Sequence, residues 1–169
     1  MIRAARLDDI PALRDIERAA GRLFAGIGMR EVADDEPLSE EALRGYQGAG
    51  RAWVGVDDSD RPIAYLVADL LDGNAHIEQV SVLPANMRQG LGRDLIEQLA
   101  TWASGRGMQA MTLTTFADVP WNAPYYRRLG FESLAEAEIG PELRGRCDDE
   151  ASRGLDRWPR ICMRRAFRG

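Results

Sequence analysis

The feature that most constrains this chain is a strand that breaks into a glycine-containing turn and leads straight into an amphipathic helix. Ala75-His-Ile-Glu-Gln-Val-Ser-Val82 reads as a strand, Leu83-Pro84-Ala85-Asn86 turns it, and Met87-Arg-Gln-Gly-Leu-Gly92 opens a helix that runs to about Ser104. Leu91, Leu95, Ile96, Leu99, Trp102 and Ala103 fall on one helical face, and Gly105 and Gly107 end it. A turn of this kind presents consecutive backbone N–H groups at the positive end of a helix, which suits a pyrophosphate. Gly90 and Gly92 let a ligand approach the backbone closely, and Arg88 and Arg93 add charge. The pattern is neither a dinucleotide fingerprint, since Leu95 occupies the third glycine position, nor a P-loop, since no Gly-Lys-Ser/Thr follows.

Around this unit the periodicity predicts a mixed α/β chain. Ile2 starts a short apolar segment, Asp8-Asp9 suit a helix entry, and Ile10, Leu13, Ile16, Ala20 and Leu23 recur at helical spacing. Gly26 to Pro37 reads as a loop. Ser39 is expected to cap a second helix, with Leu38 and Leu43 as a hydrophobic staple. Strands are expected at 52–56 and 63–70, separated by Asp57-Asp-Ser-Asp-Arg-Pro62, and the turn Asp72-Gly-Asn74 feeds the 75–82 strand. Beyond the central helix come a strand at 108–116, a short helix at 122–129 with Pro124 in its first turn, and a strand at 131–139. A polar, partly helical stretch at 141–156 and a last strand at 160–165 complete the chain. A three-stranded antiparallel meander followed by helical crossovers, right-handed by the usual rule, is a mixed sheet flanked by helices.

The length of 169 residues and 45 % hydrophobic composition fit one domain, taken as residues 1–169. A formal net charge of -5, with every basic residue an Arg, disfavours nucleic acid as a partner. Cys147, Cys162 and the single His76 lack metal-ligand spacing, so no metal is expected. The N-terminus lacks a signal-peptide pattern and no run is apolar enough to span a bilayer, so a cytoplasmic chain with no membrane partner is expected.

Strand, turn, Gly90-x-Gly92 and helix resemble the acetyl-CoA motif of the GNAT superfamily, Q/R-x-x-G-x-G/A, and Tyr125-Tyr-Arg-Arg-Leu-Gly-Phe131 resembles its second signature, Y-x-x-x-G-F. The element order is similar along nearly the whole chain, and residues 75 to 131 carry the motifs. Met87 stands where the first motif has Gln or Arg, with Arg88 one position later. The resemblance implies a GNAT-like acyl-CoA N-acyltransferase fold with a mostly antiparallel central sheet. It also implies acetyl-CoA as cosubstrate and transfer of an acetyl group to an amine. The pantetheine arm would run along Gln79 to Val82, where the sheet opens toward the 108–116 strand. Cofactor contacts fall on Val80, Ser81, Val82, Arg88, Gln89, Gly90, Leu91, Gly92 and Arg93, with Asn122 and Tyr126 further along. A homodimer is compatible with the superfamily.

By the same resemblance Tyr126 is the general acid for the leaving thiolate. An alkylamine near pKa ~10.4 is under about one part in a thousand neutral at pH 7, so a base or water chain should help, and Glu78 is the first candidate and His76 the second. Phe24, Met29 and Trp121 are expected to line the acceptor site, and Asp148-Asp149-Glu150 to attract a cationic small-molecule amine. A non-catalytic acyl-CoA-binding regulatory module, and acetylation of a protein N-terminus or side-chain amine, stand as alternatives.

Overall fold

The structure, a computed structural model, describes residues 1–168. Its strands are β1 (Ile2–Ala4), β2 (Ala52–Val56), β3 (Pro62–Leu71), β4 (Asn74–Val82), β5 (Ala110–Phe116), β6 (Glu132–Ser133) and β7 (Arg160–Ala166). Its α-helices are α1 (Ile10–Gly21), α2 (Arg30–Ala33), α3 (Glu40–Gly48), α4 (Leu91–Ser104), α5 (Ala123–Arg128) and α6 (Pro141–Ser152). Among the described residues the strands form one mixed sheet in the order β1-β2-β3-β4-β5-β7-β6. The pairs β1/β2, β2/β3, β5/β7 and β6/β7 are antiparallel, while β4 and β5 pair in parallel through Ala75–Met111 and His76–Thr112. This is the mixed, helix-flanked sheet that the periodicity predicts.

Contacts divide the chain into two compact units, Met1–Asp69 with Glu78–Leu99, and Leu70–Ile77 with Ala100 onward. In the first, Ile10, Leu13 and Ile16 of α1 and Leu43 of α3 pack on Val54, Tyr65 and Val67. Ser39 caps α3 by accepting a hydrogen bond from Ala42 N at 3.1 Å, and Leu38 packs on the same cluster as Leu43, as the staple pattern predicts. The segment expected as a loop between Gly26 and Pro37 is wound as far as Ala33 and irregular from there to Pro37. A 3₁₀ turn spans Arg22–Ile27, Gly28 takes a left-handed φ of 79°, and α2 follows, with Met29 buried between them. Burying Met29 holds this Gly-containing segment in helical turns.

In the second unit β5 and β7 pair along their whole length, and Leu71, Leu143 and Cys162 form a core with Leu134, Ile139 and Cys147 around it. The strand expected at 131–139 shrinks to Glu132–Ser133. Beyond it Ala135 N donates to Glu138 Oε1 at 2.9 Å, and Leu134 and Ile139 turn toward the α6 cluster. A local side-chain bond has replaced the ladder there. At the start of α6, Asp72 accepts hydrogen bonds from Glu142 N and Leu143 N, both at 3.0 Å, while its own N–H donates to Glu142 Oε1 at 2.8 Å. The meander turn therefore caps a helix 70 residues further along the chain.

The N-terminal entry is held by charge. Asp9 accepts from Arg3 at 2.8 and 3.1 Å and from Arg6 N at 2.7 Å. Burial pushes its carboxyl up, but these hydrogen bonds outweigh that and leave it below the ordinary aspartate value. Its contribution is thus complete above the unfolded value near ~4 and fades as pH falls through the lower folded one. Asp9→Asn should cost about 1–3 kcal/mol in urea unfolding at pH 7, and the gap from wild type should close in acid. A gap independent of pH would assign the loss to packing.

Candidate active site

The first part of the site lies where β4 ends and α4 begins. Leu83 N donates to Ile63 O at 2.9 Å, fixing the exit of β4 to the start of β3, and Gln79 donates to Ser81 Oγ at 2.8 Å. The following turn contains two left-handed residues, Arg88 at φ 67° and Gly90 at φ 79°. Glycine adopts that conformation without cost, while for Arg88 it is strained, and such strain gathers where backbone groups are presented to ligands. Gly90 O accepts the first helical bond, from Asp94 N at 2.9 Å, so Gly90 is the N-cap and Leu91, Gly92 and Arg93 supply the first-turn amides, which have no acceptor within a helix. A Cβ on Gly90 would stand 3.0 Å from the guanidinium of Arg93. Arg93 therefore folds back toward the turn, with its Nε 3.6 Å from Asp94 Oδ1. Leu95, Ile96, Leu99 and Ala103 are fully buried, which anchors the helix; Trp102 is half-buried and carries Arg106 over its ring at 4.2 Å.

Glu78 is half-buried on β4, and its charge helps to push up the phenol of Tyr65. The larger causes are burial of that phenol and Glu17, which accepts the Tyr65 hydroxyl at 2.6 Å. Glu17 also accepts from Leu38 N at 3.1 Å, and burial raises its own carboxyl above the ordinary range. The Glu17–Tyr65 pair was not identifiable from the sequence. The two residues are 48 positions apart, and nothing local marks either as polar and buried. His76 is buried, with Nδ1 2.9 Å from Thr112 Oγ1.

Tyr126 sits on α5. Its ring meets Tyr125 at 5.4 Å and Phe131 at 5.9 Å, both edge-on, and the return of the chain is secured by Phe131 N donating to Tyr126 O at 3.1 Å. The two halves of the Y-x-x-x-G-F pattern are thus one packed unit, with Gly130 at φ 95° making the turn between them. The side chain is half-buried, yet desolvation, with Tyr125 beside it, pushes the phenol well above its ordinary range. Asn122 occupies the N-cap position of α5, but its side chain makes no capping bond; its carbonyl accepts from Tyr126 N at 3.0 Å.

The expected acidic cluster is divided. Asp148 and Asp149 are exposed, whereas Glu150 turns inward, accepts from Thr114 Oγ1 at 2.7 and 2.9 Å and pairs with Arg160 at 3.2 Å. Helical periodicity separates them, since three consecutive residues of α6 cannot share one face. Phe24 and Trp121 are half-buried, and Met29 is 4 % exposed. Among the described residues no group of three or more His, Cys, Asp or Glu is placed to hold a metal ion, and no helix is long and apolar enough to cross a membrane.

Comparison with known proteins gives these elements a context. The model of the acetyltransferase (GNAT) family matches residues 11–131, a span that includes both glycine motifs. The ribosomal protein bS18-alanine N-acetyltransferase of Salmonella typhimurium is 27 % identical over 141 residues, 83 % of this chain and 86 % of the relative. A peptidyl-lysine N-acetyltransferase of the same organism is 27 % identical over 100 residues, 59 % of this chain and 63 % of the relative, so the match spans less than two thirds of that enzyme. A GNAT acetyltransferase from Brucella melitensis, solved with acetyl-CoA, superposes with a TM-score of 0.58 at 26 % identity, covering 84 % of this chain and 89 % of the other. The acceptors named for the two Salmonella relatives are protein amines, which overturns the expectation of a small-molecule amine acceptor.

Proposed function

The chain belongs to the GNAT acetyltransferase family, and from that membership we propose that it transfers an acetyl group from acetyl-CoA to an amine of a protein, foremost an N-terminal α-amine. The observation that carries the reading is the left-handed turn at Arg88 and Gly90 opening onto α4 beneath the Arg93 guanidinium. A helix start with left-handed residues before it and a cation above it matches the chemistry of a pyrophosphate. The amides of Leu91, Gly92 and Arg93, with Arg88 and Gln89 beside them, would hold that group, and the backbone of Val80, Ser81 and Val82 would hold the pantetheine arm as an added strand. When bound, acetyl-CoA supplies a thioester activated for acyl transfer.

The residues of this chain then manage two protons. The Tyr126 hydroxyl is the donor to the sulfur that leaves, and Glu78, acting through water, receives the proton that the amine loses, with His76 as the second candidate. Asn122 would contact the cofactor from the start of α5, and Phe24, Met29 and Trp121 would border the acceptor. An α-amine with pKa near ~8 is roughly one-tenth neutral at pH 7, against under about one part in a thousand for lysine. A half-buried carboxylate is a weak base, and it serves the α-amine far better.

The test is an acceptor series with acetyl-CoA, following free-thiol release. A peptide with a free N-terminal Ala should exceed both a polyamine and an N-capped peptide with internal Lys by at least about tenfold in kcat/KM. Preference for the capped Lys peptide would move the reading to lysine side chains, and no turnover with intact acetyl-CoA binding would favour a regulatory binding module.

A further inference from the structure

Cys147 on α6 and Cys162 on β7 are both free thiols, and their sulfur atoms stand 3.0 Å apart. A disulfide bond is about 2.05 Å long, so about 1 Å of closure separates this pair from a covalent link. The two sulfurs are not brought together by a loose segment. Cys162 pairs across the sheet with Thr114, and its carbonyl accepts from Leu134 N at 2.9 Å. On the other side, α6 is tied down at its start by Asp72 and in its last turn by Glu150, which reaches Thr114 and Arg160. Cys147 precedes Glu150 by three positions, which puts both on one face of the helix. Cys162 is buried against Leu71 and Leu143, whereas Cys147 is half-buried and open to small reagents.

The electrostatics distinguish the partners. The hydrogen bond with Cys162 pulls the Cys147 thiol below its ordinary value, with help from Arg160 and Arg144 and against burial and Glu150. The same hydrogen bond, with burial, pushes Cys162 up. Cys147 is thus the more acidic thiol of the pair and Cys162 the less acidic one, the division of roles that thiol oxidation requires.

We infer that Cys147 and Cys162 form a peroxide-oxidisable dithiol that closes reversibly into an intrachain disulfide between α6 and β7. The Cys147 sulfur attacks one oxygen of hydrogen peroxide, breaking the O–O bond and becoming a sulfenic acid as water leaves. The Cys162 sulfur then displaces the hydroxyl from that sulfenic sulfur, its proton leaving with it as a second water. Two thiols and one peroxide give one disulfide and two waters. The link would fix the helix face that also seats Glu150 on Thr114. In a reducing compartment it would be a transient mark of oxidant exposure rather than a permanent staple. This site is independent of the acyl-transfer reading.

The experiment starts from reduced, desalted wild-type protein given one equivalent of hydrogen peroxide, followed by alkylation under denaturing conditions and mass spectrometry. The expected product is a monomer that has lost two hydrogens and both alkylatable thiols, with a Cys147–Cys162 peptide link and full recovery on adding dithiothreitol. In Cys162→Ser, Cys147 should accumulate a sulfenic acid that dimedone traps, and in Cys147→Ser, Cys162 should react at least about tenfold more slowly. Both thiols still alkylatable in the oxidised wild type, or a link only between separate chains, would overturn the proposal. Dimedone labelling of Cys162 as fast as that of Cys147 would overturn the assignment of roles.

Discussion

Replacing Tyr126 with phenylalanine should lower kcat by about 10²-fold or more while leaving acetyl-CoA affinity nearly unchanged. The ring makes the packing contacts, edge-on to Tyr125 and Phe131, and Phe keeps that ring. Only the hydroxyl is removed, and the proposal assigns it the proton for the leaving sulfur. A thiol titrates near ~8.5 and an ordinary phenol near ~10, so complete transfer is uphill by about 2 kcal/mol, and burial of Tyr126 makes it steeper. This points to donation that proceeds together with loss of the amine proton, with the hydrogen bond strengthening as charge develops on sulfur. The raised phenol also has a sign. Tyr126 stays protonated through the neutral range, so no activity should be lost to its ionisation until pH exceeds the ordinary phenol value. Single-turnover kinetics on wild type and Tyr126→Phe across pH decide the matter. Near-wild-type chemistry in the variant would leave Tyr126 as a packing residue.

The legible parts of this molecule were those written in local patterns. The α4 face, the α3 cap at Ser39 and the meander turns follow from residues within a few positions of one another, and each formed as its pattern implies. What was not legible depends on partners distant in sequence. Nothing around Asp72 indicates that it caps α6, because its partners are Glu142 and Leu143. Glu17 looks like an ordinary surface residue of an amphipathic helix until Tyr65 is brought against it by the β2–β3 pairing. Glu150 reads as one of three solvated acids until Thr114 and Arg160 draw it inward. The Gly26–Ala33 part of the expected Gly26–Pro37 loop differs for the opposite reason: its glycines suggest a loop, and tertiary burial of Met29 overrides that local preference. The acidic cluster suggests a cationic small molecule where the relatives' named acceptors are protein amines, since charge on a helix says little about what docks there. The glycine turn itself is legible in the sequence, whereas the left-handed Arg88 and the approach of Arg93 to Gly90 arise only in the folded backbone.

Gly92→Val should weaken acetyl-CoA binding by at least about 1.4 kcal/mol, a factor of ten, and Gly90→Val should do the same. The two substitutions act differently. Gly90 holds φ at 79°, so any side chain there is strained, and its Cβ would also press on the Arg93 guanidinium. Loss of affinity at Gly90 alone would therefore confound a distorted turn with a blocked site. Gly92 lies within the first turn of α4, where the helix accepts a side chain in backbone terms, and valine costs no left-handed strain. Gly92 is buried, so only where thermal unfolding shows the variant intact does its effect report on whether a ligand must come close to the first-turn amides. Gly107 provides the control: its φ is 77°, and a Cβ there meets nothing within 4 Å. Gly107→Val should incur comparable backbone strain after the end of α4 and leave acetyl-CoA affinity intact. Calorimetric titration of the three folded variants, with thermal unfolding run alongside, separates the cases. If Gly92→Val is stable and binds acetyl-CoA as wild type does, the pyrophosphate is not held at these amides, and the turn at Arg88 and Gly90 is a structural joint alone.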